Sequence, residues 1–341
     1  MLKQIKIENF RCFKSFELNQ FGRVNLLVGK NNSGKTSILE AIRLLCSDAE
    51  NQLIKQIMIN RGEYSGNKDL DVSYLFYNYE INPNQNISIS DTNQNIITEK
   101  STYISSNKDY NYSLEEINFF TSSMTKKLDK EEELKTFRLK RKMLEDKYRN
   151  MKNNKFIASS SLTSHESIEL FNQIVLTPAE DLVYEALQII EPKIKRIAPI
   201  GTKIKNNDSR GGFLVLLSDS QKRIPIGSMG DGIWRMLSLS LALVSTKDGV
   251  LLVDEIDTGL HYTALEDMWK LIWETAKKLN VQVFATTHSR DCYEALEVLA
   301  NRDDVGEEDI SIQRIEKDTP RSVVYNKKGI ATAAKREIEV R

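Results

Sequence analysis

Eight residues, Gly29-Lys30-Asn31-Asn32-Ser33-Gly34-Lys35-Thr36, constrain this chain more than any other stretch. They follow a short apolar run, Val24 to Val28. They precede Thr36 to Cys46, where Ile38, Leu39, Ile42 and Leu45 recur at helical spacing. A strand therefore runs into a helix through a loop of pattern G-x-x-x-x-G-K-[ST]. Each part of that pattern has a physical task. Glycines let backbone N–H groups turn inward around phosphate oxygens, and the helix opening near Lys35 aims its positive end at them. Lys35 brings a point charge to the outer phosphates, and Thr36 offers a hydroxyl to Mg²⁺. The expected wall of a nucleotide site is Gly29, Asn31, Asn32, Ser33, Gly34, Lys35, Thr36 and Ser37.

A second apolar run, Gly249 to Val253, ends in two adjacent carboxylates, Asp254 and Glu255. Adjacent residues on a strand face opposite ways. One carboxylate can hold a metal ion while the other orients water, so Asp254 is the expected metal-side residue and Glu255 the expected base. Before this run stands Gly227-Ser228-Met229-Gly230-Asp231-Gly232, opening an apolar helix. Such a turn is a further anion-binding device, with Ser228 and Gly230 as its contacts. After it comes Asp257-Thr258-Gly259-Leu260-His261, and the next buried strand ends in Thr286-Thr287-His288-Ser289, which puts His288 in reach of a terminal phosphate.

The two halves of the site are more than 200 residues apart, a spacing unlike compact AAA+ or small GTPase cores. Order and spacing resemble the ABC-type ATPase superfamily. The Gly29–Thr36 loop is similar to its Walker A, Asp254-Glu255 to Walker B, Ile256-Asp257-Thr258 to the D-loop and His288 to the switch histidine. Ser228-Met229-Gly230-Asp231-Gly232 looks like a variant signature, departing from the L-S-G-G-Q of transporter ATPases. Asn9-Phe10-Arg11-Cys12-Phe13 resembles the N-F-R-x-F opening of the RecF, SMC and OLD branch. The resemblance covers about residues 1–62 and 170–300. It implies ATP and Mg²⁺ as ligands, Arg11 and Asp257 as further nucleotide contacts, and Lys35, Glu255 and His288 as catalytic groups. A Q-loop glutamine is either Gln52 or Gln56. The implied fold is an α/β, ABC-ATPase-like P-loop head with a mixed, largely parallel sheet, an antiparallel β lobe and a helical insertion.

The rest of the chain is organised around that head, read as one domain over 1–341 with an insertion at about 112–165. Val72, Tyr74, Phe76 and Tyr79 suggest a strand. Ile87, Ile89, Ile96, Ile97, Tyr103 and Ile104, between Asn-rich turns, suggest an antiparallel meander. From Met124 to Lys155 twelve Lys/Arg face six Asp/Glu, so the stretch is locally basic. Leu134, Phe137, Leu144, Tyr148 and Met151 form a narrow helical stripe within it. Ala179 to Ile197 reads as a helix interrupted at Pro192. Phe213 to Leu217 and Val281 to Thr286 read as strands, and Gly232 to Ser245 and Thr263 to Leu279 as helices. Trp234, Trp269 and Trp273 fall at core positions, and His165 in a polar loop.

Lys+Arg and Asp+Glu both number 48, so overall charge encodes no general attraction to nucleic acid or acidic lipid. Cys12, Cys46 and Cys292 lack metal or disulfide spacing. With no leader-like or membrane-spanning run, a cytoplasmic protein is expected. By resemblance, two chains pair head to tail, each capping the other's ATP. The implied role is control of a separately encoded effector, a nuclease or toxin, as in OLD-like anti-phage systems. The stretch beyond His288 is too short for a TOPRIM nuclease domain. A RecF-like DNA-clamping ATPase and a nucleotide-gated scaffold are the alternatives.

Overall fold

The computed structural model describes residues 1–47, 51–64, 70–81, 86–91, 99–106, 117–124, 153–200, 211–317 and 319–335. In chain order these form β1 (Ile5–Phe10), β2 (Phe13–Leu18), β3 (Val24–Val28), α1 (Lys35–Cys46), α2 (Asn51–Arg61), β4 (Ile87–Asp91), β5 (Glu99–Ser106), β6 (Ile117–Met124) and β7 (Asn154–Ile157). Then come α3 (Ser164–Ile174), α4 (Pro178–Ile190), β8 (Ile194–Pro199), β9 (Phe213–Leu217), β10 (Arg223–Pro225), α5 (Asp231–Ser245) and β11 (Val250–Val253). The chain closes with α6 (Leu265–Leu279), β12 (Gln282–Thr286), α7 (Arg290–Ala300), β13 (Ile310–Arg314), β14 (Val323–Asn326) and α8 (Lys327–Lys335).

The central sheet has the order β14-β13-β3-β12-β11-β7, parallel throughout except for β14. Every residue of β3, β11 and β12 is buried, as expected of parallel strands covered on both faces. Alternation divides them between two cores. Val24, Leu26, Val28, Leu251, Val253, Val283 and Ala285 pack with α3 to α7. Leu27, Val250, Leu252 and Phe284 pack on the other side with α1, α2 and a five-stranded antiparallel sheet, β2-β1-β4-β5-β6. Trp234, Trp269 and Trp273 all lie in the first core. One polar residue interrupts β3. Asn25 is fully buried and satisfied: it donates to the Gly22 and Val283 carbonyls and accepts from Gly22 N and Ser311 Oγ.

Several local expectations are corrected. Residues 72–79 form 3-10 turns, not a strand. Asp71 accepts a hydrogen bond from Ser73 N, starting a turn, and Asn78 at φ 56 breaks extended geometry. The helix from residue 178 ends at Ile190, and Ile194 begins β8 beyond Pro192, consistent with the extended preference of the residue before proline. His165 sits in the first turn of α3 rather than in a loop. The insertion boundary at 165 is too late, because Asn154–Ile157 is β7 of the central sheet, paired with β11. Its start at 112 is also not helical throughout, since Ile117–Met124 is β6 of the meander. The apolar stripe of residues 134–151 lies outside the described residues.

On α7, Glu297 is only 8% exposed. Burial pushes its carboxyl up to about 7, reinforced by Glu294 and opposed by Arg290. A carboxyl with a raised folded pKa favours the protonated native state, so stability falls as pH rises through the window from about 4.5 to 7. Glu297→Gln is expected to raise the melting temperature at pH 8 by roughly 2–5 °C, with the gain vanishing near pH 4. Thermal melts of both proteins at the two pH values check this.

Candidate nucleotide site

The carboxyl ends of β3, β12 and β11 lie side by side, the place where parallel sheets present their ligands. The Gly29–Thr36 loop leaves β3 at Gly29, with φ +144, where a Cβ would lie 2.4 Å from the Ile315 carbonyl oxygen. Gly34, at φ +97, lies under the β1–β2 turn, and a Cβ there would lie 2.4 Å from the Phe13 ring. Neither place admits a side chain. Lys35, 5% exposed, folds back so that Nζ donates to the carbonyls of Gly29 and Lys30, both at 2.8 Å. Burial pushes its pKa down to about 8 against the opposing fields of Asp254 and Glu255. Ser33 is buried and its Oγ has no hydrogen-bond partner. Asn31 and Asn32 are exposed on the loop.

Thr36, the second residue of α1, donates its hydroxyl to Asp254 at 3.1–3.2 Å, joining the two halves of the site across 218 positions. Thr286, which ends β12, serves both carboxylate residues. Its hydroxyl donates to Asp254 Oδ1 at 2.6 Å and accepts from Glu255 N at 2.8 Å. Glu255 has φ +47, a left-handed backbone that a glutamate rarely adopts. The oxygen donors of Thr36 and Asp254 are the hard ligands that suit Mg²⁺.

Arg11 holds the loop's flank. At φ 55 in the β1–β2 turn, it pairs through Nε with Glu40 of α1 at 3.2 Å and through Nη1 with Glu63. Arg61 pairs with Glu40 from the other side at 2.6 Å. Burial pushes the Glu63 carboxyl up, although Arg11 opposes the shift. Arg11, Arg61 and Glu63 border a cavity of about 1000 Å³ whose wall includes Asn32, Ser33, Gly34, Ser37 and three tyrosines, Tyr74, Tyr77 and Tyr79. Arg11 Nη2 is buried here without a hydrogen-bond partner.

The remaining expected contacts lie outside that cavity. Ser228 and Gly230 are exposed at the turn that opens α5. Asp257 accepts from the Thr287 hydroxyl at 2.6 Å. His288 is exposed just beyond β12. His261 is exposed, 2.9 Å from Thr263 Oγ1 and stacked on Tyr262. Gln52 and Gln56 are both exposed on α2. Sequence reasoning missed Thr286, Glu40, Arg61, Glu63 and Arg235. Two carried a signal: Thr286 is a hydroxyl closing an apolar run, and Arg235 is the lone cation inside an apolar helix.

A family model described as "AAA domain, putative AbiEii toxin, Type IV TA system" matches residues 24–291. The chain belongs to this family. It is an ABC-type ATPase of the RecF, SMC and OLD branch. An ATP/GTP phosphatase of Helicobacter pylori is 21% identical, covering 89% of this chain and 90% of its own. A DNA replication and repair protein RecF of Clostridioides difficile is 52% identical over 44 residues, 13% of this chain and 12% of that protein. The fold is similar to an Smc head domain from Pyrococcus furiosus solved with the C-terminal domain of ScpA. That match has a TM-score of 0.52 and 12% identity, and covers 99% of each chain. An Smc head bound to the C-winged helix domain of ScpA gives a TM-score of 0.54 at 12% identity, covering 95% of this chain and 97% of that one.

Lys35→Ala removes the loop's buried cation and leaves the backbone cradle. ATP affinity, measured by titration calorimetry, is expected to fall about 100-fold, equivalent to roughly 2.7 kcal/mol. Unchanged affinity would refute the loop assignment.

Proposed function

We propose that this chain hydrolyses ATP to ADP and phosphate in a site completed by a second copy of itself. The observation that carries the reading is the Thr36–Asp254 hydrogen bond, which unites the phosphate loop with the carboxylate pair. Lys35 meets the charge that builds on the terminal phosphoryl group, and Glu255 orients or deprotonates the attacking water. Thr36 and Asp254 would hold Mg²⁺, which supplies charge neutralisation between the outer phosphates. His288, exposed at the end of β12, is the candidate contact to the departing phosphate. The ATP/GTP phosphatase from Helicobacter pylori, similar along nearly its whole length, supports turnover rather than binding alone.

The cavity on the Arg11 side of the loop suits the nucleoside. It adjoins Ser33 and Gly34 and carries exposed aromatic surface at Tyr79, whose ring meets Tyr74 edge-on at 5.6 Å. Stacking on one aromatic side chain is worth about 1–3 kcal/mol per base. Tyr79→Ala should therefore weaken ATP binding about tenfold and leave inorganic tripolyphosphate binding unchanged. An equal loss for both ligands would remove the nucleoside from this cavity.

The exposed turn at Ser228 and Gly230 supports pairing, since it presents an anion-binding loop that does not line its own chain's cavity. In this reading ATP on one chain is capped by that turn and Asp257 of the other, and hydrolysis releases the pair. Glu255→Gln is expected to lower kcat by about 10²–10⁴-fold and to trap a dimer with Mg-ATP. Light scattering at micromolar concentration checks the trapped state, and a monomer there counts against pairing.

For the pair's role, we favour control of a separately encoded effector. The matched family carries a toxin–antitoxin description, and an OLD nuclease of Thermus scotoductus is 44% identical over 48 residues, 14% of this chain and 9% of that protein. Three free thiols fit a reducing cytoplasm. Among the described residues no helix is long and apolar enough to cross a membrane.

A further inference from the structure

Arg235 lies on α5, five residues beyond Gly230, and is 1% exposed. A guanidinium has five N–H donors. Arg235 forms five hydrogen bonds, none of them to a carboxylate. Nη2 donates to the carbonyls of Asp254 at 2.8 Å and Glu255 at 2.7 Å, and Nε to that of Ile256 at 3.3 Å. Nη1 donates to the Ala158 carbonyl at 2.8 Å and to Ser161 Oγ at 3.2 Å.

Three consecutive carbonyls converging on one group is not strand geometry, because successive carbonyls of an extended chain point to opposite sides. The convergence requires the chain to kink, and the kink is the left-handed Glu255 at φ +47. The amides of the same segment are held from elsewhere: Asp254 N donates to Ile157 O, Glu255 N to Thr286 Oγ1 and Ile256 N to Thr286 O. The segment is therefore bracketed, with β7 and β12 fixing its N–H groups and Arg235 fixing its carbonyls.

We propose that Arg235 is a positioning residue for hydrolysis, holding the Asp254–Ile256 backbone in the kink that aims the Glu255 carboxylate. All five of its donors go to protein acceptors, so it acts through the peptide groups of the carboxylate pair. Because it sits on the helix opened by Ser228 and Gly230, the pair and the capping turn are joined through one rigid element. The inference rests on the ATPase reading above.

A lysine at 235 keeps the charge but cannot fork across three carbonyls. Folded Arg235→Lys protein is expected to bind ATP within about threefold of wild type and to form the ATP-dependent dimer. Its kcat should fall about 100-fold, the scale of a small misplacement of reacting groups. Amide exchange of Glu255 and Ile256, followed by mass spectrometry, should accelerate about tenfold, in keeping with opening of a local segment. A kcat within threefold of wild type overturns the proposal. So does a loss of ATP affinity as large as the loss of kcat, which would mark a general scaffold residue. If Arg235→Lys does not fold, Ser161→Gly decides. Glycine suits the φ of 69 at that position and removes one of the five acceptors. Lower kcat at unchanged KM supports the role, and unchanged kcat removes it. If wild-type protein shows no turnover, the ATPase reading fails by itself, and the exchange comparison still decides whether Arg235 holds the kink.

Discussion

The site depends on β12 lying between β3 and β11. Parallel strands buried on both faces stack in register, and their carboxyl ends emerge at one level. Two segments separated by more than 200 residues are brought together this way, and Thr286, at the end of the middle strand, bonds to the carboxylate segment beside it. Thr36 completes the crossing from the other side. No long-range electrostatic attraction is needed to assemble the centre. Burial of Leu26, Leu252 and Phe284 fixes the sheet, and the polar groups at its edge follow.

The flank of the Gly29–Thr36 loop is held differently. There Arg11 in the β1–β2 turn, Glu40 of α1, the partly exposed Arg61 at the end of α2 and Glu63 just beyond it supply an ion network in place of a sheet. Such networks gain little over an apolar core, but removing one member leaves a desolvated charge. Arg11, at φ 55, adopts a left-handed backbone in this turn, and its guanidinium reaches Glu40 and Glu63. The β1–β2 turn, α1 and the end of α2 are thereby locked together around the cavity bearing Tyr74, Tyr77 and Tyr79.

What could be read from the sequence follows from this division. Strands β3, β11 and β12 and helices α1, α5 and α6 follow apolar or amphipathic patterns closed by loop residues, with Asn25 and Arg235 as polar exceptions, so the two halves of the site are legible in the sequence. In residues 72–79 alternating aromatics imitate a strand, while a single Asp71 side chain is enough to start a turn. β7 was hidden because Asn154-Lys155-Phe156-Ile157 is short and polar at its start, and only the neighbouring β11 makes it a strand. Thr286 and Arg235 stand out in the sequence only as a hydroxyl closing an apolar run and a lone cation in an apolar helix, and their partners, mostly backbone groups that every residue possesses, are not encoded by any residue pattern.

Lys35 and Arg235 show two uses of a buried cation in one site. Both donate to backbone carbonyls, and burial lowers the pKa of both, to about 8 for Lys35 and about 10 for Arg235. For Lys35 the two carbonyls are weak substitutes for water, and the ammonium keeps a hydrogen-bonding capacity that phosphate oxygens satisfy far better, since bonds between two charged groups are the strong ones. Its desolvation thus favours an anionic ligand over solvent. Arg235 has all five donors committed, four to backbone carbonyls and one to the Ser161 hydroxyl, and has none left for a ligand. In the proposed function the same low-dielectric interior suits the lysine to receive phosphate and the arginine to hold the fold, and the difference lies in the count of unfilled donors.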